Sequence, residues 1–245
     1  MVAAKASGES MRIIVFGANG PTGRLLTRRA LDAGHTVTAV TRQPDAFDIS
    51  GGALTVQRAD VHDAAAVSRV MAGHDVVLSS LGVPYGRHPI DVYSSGAAKI
   101  LSAMTEHGIR RFACVSSSAT VPNPNADEGF FFGRVLQPFI TKTLGKTLYA
   151  DMARMEQLVM ASDTDWTIVR PSGLFDAENV SDYRVSAEPL PGRFTSRADL
   201  ADLLLRQATD DTYTRSPVSL ITDDGAPSVR ELILREAFGR ETASR

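Results

Sequence analysis

The chain has 245 residues, 43% of them apolar and 22% charged, with a formal net charge of −2. That length supports one large buried core, and the near-neutral balance gives no electrostatic argument for a nucleic-acid or membrane-surface partner. A lone cysteine, Cys114, excludes an intramolecular disulfide, and no stretch has the length and apolar content of a bilayer span or a secretory signal. A cytoplasmic protein is the expectation, with a disordered leader over residues 1–10 and one domain over 11–245.

The first element is the apolar run Ile13, Ile14, Val15 and Phe16, which has the pattern of a strand buried on both faces. It runs straight into Gly17-Ala-Asn-Gly20-Pro-Thr-Gly23, after which Leu25, Leu26 and Leu31 give a helix its apolar stripe. Gly17 permits a sharp turn off the strand, Gly20 leaves room for a pyrophosphate, and Gly23 lets the helix pack closely on the sheet. Pro21 suits a first helical turn, whose free N–H groups and positive dipole end receive an anion. The segment predicts a dinucleotide cradle made of Gly17, Asn19, Gly20, Pro21, Thr22 and Gly23, with Gly-x-x-Gly-x-x-Gly in place of the Gly-x-Gly-x-x-Gly of many dinucleotide enzymes.

The second strand, His35–Thr41, is expected to end beside the adenosine ribose. An acidic residue there would bond a free 2′-hydroxyl; this chain has Thr41-Arg42, and a guanidinium matches a 2′-phosphate in charge and fork geometry. NADP(H) is therefore expected over NAD(H), the alternative being a solvated Arg42 paired with Asp45. A third strand over 54–61 ends in Asp60-Val61. Asp60 either accepts from the adenine amino group, with Val61 over the ring, or caps the helix that follows His62.

Strands and helices then alternate to the end: helix 63–71, strand 75–80, helix 91–106, strand 111–115, helix 147–161, strand 166–170, a short strand 183–185, helix 197–208, strand 218–221 and a closing helix. That alternation predicts an α/β fold, a doubly wound parallel sheet of the Rossmann type, in a single domain with a small C-terminal substrate-side extension. Ligands of such sheets bind outside the carboxyl ends of the strands, so the turns after Phe16, Val40, Ala59, Leu78, Val115 and Val169 should converge on one cleft. Cys114 lies in an apolar strand and reads as packing. The expected partner is a small-molecule substrate, with no metal site, no nucleic acid and no membrane, in a monomer or weak homodimer.

Several segments carry a family resemblance in order and spacing: Gly17-Ala-Asn-Gly-Pro-Thr-Gly23, Ala59-Asp-Val61, Ser80-Leu-Gly82, Gly96-Ala-Ala-Lys-Ile-Leu-Ser-Ala-Met104, Ala113-Cys-Val-Ser-Ser117, Asp151-Met-Ala-Arg-Met155, Asp165-Trp-Thr-Ile-Val-Arg-Pro171 and Ser196-Arg-Ala-Asp-Leu200. The chain resembles the atypical short-chain dehydrogenase/reductases of the NAD(P)H-binding, NmrA-like group, and is most similar to the biliverdin-IXβ reductase/flavin reductase family. The resemblance implies that Ser80, Leu81 and Gly82 form the turn beneath the nicotinamide ribose and that Met152 and Pro171 also border the cofactor. It puts Ser116 or Ser117 beside nicotinamide and substrate, where a hydroxyl donates to the acceptor as charge develops, although Ser118 leaves the register open.

Typical superfamily members carry Tyr-x-x-x-Lys on the next helix. The same alignment puts Leu148 and Met152 at those two positions. Tyr149 is one residue off, a rotation of about 100° around the helix, so it is not a simple substitute. A planar acceptor that takes hydride readily needs positioning more than a protein acid, because water can supply the proton. Substrate-wall candidates are Tyr85, Arg87 and His88 after Gly82, the aromatic run with Phe131, Phe132, Leu136 and Phe139, and Tyr149, set in variable segments 83–95, 121–146 and 173–195. The expected activity is an NADPH-dependent reductase of a flavin-, tetrapyrrole- or quinone-like acceptor. The alternatives are a non-catalytic NADP(H)-binding redox sensor and a redox-neutral isomerase or cyclase.

Overall fold

The structure of the protein, a computed structural model, describes residues 10–83, 89–121 and 146–225. Strand β1 (Arg12–Phe16) leads to helix α1 (Pro21–Asp32), β2 (Thr36–Thr41), β3 (Leu54–Arg58), α2 (Ala64–Met71), β4 (Val76–Ser79), α3 (Val92–Glu106) and β5 (Arg111–Val115). Then come α4 (Lys146–Met160), β6 (Asp165–Pro171), β7 (Gly173–Phe175), β8 (Arg184–Ser186), β9 (Phe194–Ser196), α5 (Arg197–Arg206) and β10 (Ser216–Ile221).

Eight strands form one sheet in the order β3-β2-β1-β4-β5-β6-β10-β8. All neighbours from β3 to β10 are parallel and β8 is an antiparallel edge. This is the expected Rossmann-type sheet. Strand β1 has β2 on one side and β4 on the other, so the strand order reverses there and opens a crevice beyond the carboxyl end of β1.

Strand alternation sorts the core into two layers. Ile14 and Phe16 face Val67 of α2, Ile100 of α3 and Met155 of α4, while Ile13 and Val15 face Leu26 of α1 and Leu200 and Leu204 of α5. Both faces of β1 are covered, which is why its sequence is a continuous apolar run. Full burial of a side chain such as Ile100 or Leu204 contributes about 1.5–3 kcal/mol.

The structure differs from the sequence expectation in several places. β3 ends at Arg58 and not at Val61, because Asp60 turns the chain by accepting from the His62 backbone N–H at 2.9 Å. The short strand near 183 spans Arg184–Ser186, and α5 stops at Arg206. β7 and β9 pair in a separate two-stranded parallel sheet that was not anticipated, since three residues are too few to display an alternating pattern. Residues 1–9 of the expected leader and the expected closing helix beyond 225 lie outside the described residues. Among the described residues no helix is long and apolar enough to cross a membrane.

Candidate dinucleotide and substrate site

The glycine turn is fixed by close packing at two of its three glycines. Gly17 has a φ of +75°, and a Cβ on it would lie 2.6 Å from the Ser80 carbonyl oxygen. A Cβ on Gly23 would lie 2.2 Å from the Gly17 carbonyl oxygen. Gly20 differs: its added Cβ would meet only the Gly17 oxygen at 3.4 Å, so this position faces open space. Gly20 also stands at the N-terminus of α1, where no side chain caps the helix and no acidic residue occupies the first turn. Pro21 is exposed at the start of the helix and Thr22 is buried behind it. An uncapped helix end beside an open glycine fits an anion such as a pyrophosphate.

Ser80 fastens β4 to the same turn. Its backbone N–H donates to the Phe16 carbonyl at 2.9 Å, and its hydroxyl lies 3.2 Å from that oxygen and 3.3 Å from the Gly17 oxygen. Ala18 N–H donates to the Val40 carbonyl at 3.3 Å, which brings in the end of β2. Adjacent turns after β1, β2 and β4 thus meet as expected.

At the end of β2, Thr41 is buried and its hydroxyl oxygen accepts from the Gln43 N–H at 3.1 Å. Arg42 is exposed and has no ion pair among the described residues; Asp45 instead lies 3.9 Å from Arg58. Asp60 does not cap α2. That role belongs to Asp63, which accepts from the Ala66 N–H at 3.0 Å. Oδ1 of Asp60 accepts from the His62 backbone and, at 3.0 Å, faces its ring Nδ1, while Nε2 of the same ring lies 3.1 Å from Asp91. The His62 backbone bond holds the Asp60 carboxyl below its usual range, and the positive charge of Arg42 acts in the same direction. Val61 is 7% exposed and sits against Gly96 of α3, so little of it remains for a ring to cover.

The opposite end of the cleft is formed by the turns after β4, β5 and β6. Leu81 packs against the core and Gly82 is exposed with no atom near its added Cβ. The Val83 N–H donates to the Tyr93 hydroxyl at 3.3 Å. Ser116 is tied to β6 by its N–H, which donates to the Val169 carbonyl at 2.8 Å; Pro171 lies buried at the strand end. The three serines now separate. Ser117 accepts from the Ala119 N–H at 3.2 Å, starting a short 3₁₀ turn, and Ser118 lies 3.3 Å from the Ser172 hydroxyl. Ser116 is 2% exposed and its hydroxyl has no partner among the described residues. A buried, unpaired hydroxyl at a strand end is the kind of group a ligand satisfies. Burial pushes the Cys114 thiol well up, which fits inert packing.

Helix α4 carries two features that sequence reasoning missed. Asp151 is fully buried and caps α3 from outside: it accepts from the Tyr93 N–H at 2.9 Å, from the Ser94 N–H at 3.4 Å and from the Ser94 hydroxyl. Arg154 donates to Asp151 at 3.0 Å and to the Ile90 carbonyl at 3.3 Å, which holds the segment entering α3. Glu156, also buried, accepts from Nε and Nη2 along one edge of the Arg170 guanidinium at 3.0 and 2.6 Å and accepts from the Thr120 hydroxyl at 3.0 Å. The signal available in the sequence was the charged trio Asp151, Arg154 and Glu156 set among apolar helix residues, of which the first two stand in the quoted segment Asp151-Met-Ala-Arg-Met155. Leu148 and Met152 are buried in the α3/α4 layer, at 4% and 7% exposure, so Met152 offers a cofactor little surface. Tyr149 is half-buried and packs on the same layer. Tyr85, Arg87, His88, Phe131, Phe132, Leu136 and Phe139 lie outside the described residues.

The chain is similar to known proteins in sequence and in fold. The sequence is 31% identical over 221 residues to an uncharacterized protein of Mycobacterium tuberculosis, an alignment covering 86% of this chain and 21% of the relative. The chain thus spans about a fifth of the length of the mycobacterial relatives it matches. Two solved structures share the fold. A short-chain dehydrogenase/reductase from Veillonella parvula in complex with NADP has a TM-score of 0.71 at 18% identity, over 88% of this chain and 96% of that one. ChuY, an anaerobillin reductase from Escherichia coli O157:H7, has a TM-score of 0.69 at 22% identity, over 89% of this chain and all (100%) of that one. A family described as NAD(P)H-binding matches residues 17–211, from the first glycine of the turn to beyond α5, and the chain belongs to that family.

Proposed function

We propose that the protein binds NADP(H) in preference to NAD(H) and reduces a planar conjugated acceptor of the flavin, tetrapyrrole or quinone type. One observation carries the reading: Arg42, exposed and without an ion pair among the described residues, follows the strand that ends beside the open Gly20 turn. A guanidinium there supplies two parallel donors to a 2′-phosphate. The uncapped end of α1 takes the pyrophosphate, and the second oxygen of Asp60 accepts from the adenine amino group. Ser80, Leu81 and Gly82 support the nicotinamide ribose. When bound, NADPH supplies the hydride. Ser116 donates its unpaired hydroxyl to the acceptor, orienting it and stabilising the charge that collects there. With Leu148 and Met152 at the superfamily tyrosine and lysine positions, no tyrosine stands at the usual proton-donor position and water delivers the proton.

The NADP complex and the anaerobillin reductase among the fold neighbours support the choice of cofactor and of acceptor class. The lone buried Cys114 suits a reducing cytoplasmic compartment. The buried Leu148 and Met152 also favour a second reading, a nucleotide-binding redox sensor that does not turn over. Titrating NADPH and NADH into the purified protein, then following the nicotinamide absorbance after adding flavin, tetrapyrrole or quinone, separates the two. Oxidation of NADPH establishes the reductase; tight binding with no oxidation by any acceptor favours the sensor. In the same assay Arg42→Ala should weaken NADPH by about 1–3 kcal/mol, roughly five- to 150-fold, and NADH little. Equal losses for both nucleotides would remove the 2′-phosphate role.

A further inference from the structure

A second cation, Arg24, reaches the same end of the cleft, and its surroundings divide its donors into two sets. Nε donates to the Asn19 carbonyl at 3.1 Å; Nη2 donates to the Asn19 side-chain oxygen and, at 2.7 Å, to the Ala46 carbonyl. The guanidinium also lies over the Phe47 ring, 5.4 Å from its centroid. These contacts fix the plane of the group between the glycine turn and the segment that follows Arg42. That segment is folded back tightly, with the Ala46 N–H donating to the Gln43 carbonyl at 3.2 Å and the Phe47 N–H to the Pro44 carbonyl at 3.0 Å, so Arg24 and Arg42 flank one short turn. The remaining edge, Nη1, meets the carboxylate of Asp48. The Asp48 side chain is 71% exposed, and the backbone of residues 48–50 makes no hydrogen bond among the described residues.

We propose that Asp48 is a displaceable stand-in for the anion of the nucleotide: its carboxylate occupies the outer edge of Arg24 that a ribose 2′-phosphate takes, and it thereby tempers discrimination between NADPH and NADH. The inference rests on the proposed binding of NADP(H), with its 2′-phosphate near the end of β2. An exposed ion pair contributes little to stability, about 1 kcal/mol at most, so a phosphate that meets both guanidinium groups displaces the carboxylate readily. A 2′-hydroxyl carries no charge and has no means to displace it. Binding of NADPH therefore includes the cost of breaking the Arg24–Asp48 pair, and binding of NADH does not.

Fluorescence titration of the full chain with NADPH and NADH tests this in Asp48→Asn. The variant should bind NADPH about three- to fivefold more tightly and NADH within about twofold of the parent. Adding Arg24→Ala to Asp48→Asn should abolish the gain, because the vacated edge is then gone. A selective gain for NADPH that depends on Arg24 upholds the inference whatever Arg42→Ala shows. Unchanged NADPH affinity, equal gains for both nucleotides, or a gain that survives Arg24→Ala overturns it. If Arg42→Ala still weakens NADPH selectively in that case, only the role of Asp48 falls; if it weakens both nucleotides equally, the 2′-phosphate reading falls as well.

Discussion

Around the glycine turn the chain packs against itself so closely that Gly17 and Gly23 have no room for a methyl group, whereas at the carboxyl end of β5 a buried serine hydroxyl has no partner among the described residues. The first region is specified by the fold: its residue types follow from backbone approach and from a left-handed φ, whether or not a ligand is present. The second is not explained by folding, since an unsatisfied buried hydroxyl costs free energy in the empty protein. In the proposed reading, packing shapes the turn that holds the nucleotide, and the unmet polar capacity of Ser116 is what meets the acceptor.

The sharpest way to break this comparison is inside the turn itself. Gly23→Ala forces a Cβ to 2.2 Å from a backbone oxygen and should cost about 3 kcal/mol or more, lowering the melting temperature on the order of 10 °C. Gly20→Ala, at a φ of −71° and with only a 3.4 Å contact, should leave the melting temperature within about 2 °C. It should nevertheless reduce nucleotide affinity at least about tenfold, because the methyl group takes the space left for the pyrophosphate. Calorimetry and nucleotide titration on the two variants check both halves. Similar melting losses would mean that Gly20 is also a packing glycine.

The same division governs what could be read from the sequence. The sheet was legible because burial on both faces gives β1 its unbroken Ile13–Phe16 run and because three glycines at fixed spacing imply a strand-to-helix turn. The small β7–β9 pair was not, since Gly173–Phe175 and Phe194–Ser196 are too short to carry a period. The glycine turn was legible for the same reason as the sheet, its residues being local in sequence. Asp151, Glu156 and Arg24 were not, because their partners lie 58, 14 and 24 residues away and only the folded chain brings them together. Ser116, Ser117 and Ser118 were indistinguishable in the sequence; in the structure their hydrogen bonding separates them.

That choice gives a second test of the comparison, with a smaller effect on stability and a larger one on chemistry. Ser116→Ala removes an unpaired hydroxyl, so stability should stay constant or rise by up to about 1 kcal/mol. Turnover with any active acceptor should fall about ten- to a hundredfold while NADPH affinity is retained. Ser117→Ala should do the reverse, losing about 0.5–1 kcal/mol with the cap of its 3₁₀ turn and changing turnover little. Stopped-flow or steady-state rates beside denaturant melts decide the matter. If the two variants exchange behaviours, Ser117 is the residue that meets the acceptor.

The smallest effect is expected at the far end of the sheet, where His74 precedes β4 at the amino ends of the strands. Its ring Nδ1 lies 3.0 Å from the Met71 carbonyl and Nε2 lies 2.8 Å from the Thr38 hydroxyl, which suits a neutral ring that donates at one nitrogen and accepts at the other. Burial lowers the His74 pKa from its ordinary value of 6.5. Burial also lowers that of His35, whose Nδ1 accepts from the Met11 N–H at 3.2 Å. For a histidine with a depressed folded value, the unfolded chain binds the proton first as pH falls. The stability contribution is therefore complete above 6.5 and declines below it until the folded value is passed. Melts between pH 7.5 and 5 should show this decline, and His74→Gln, which keeps a donor and an acceptor but does not titrate, should make it shallower without removing the share due to His35. Nucleotide affinity at pH 7.5 should be the same in the variant and the parent, since His74 lies at the opposite end of the strands from the cleft. A decline as steep or steeper in His74→Gln would remove the share assigned to His74, and a loss of affinity would show that the amino end of the sheet and the cleft are coupled.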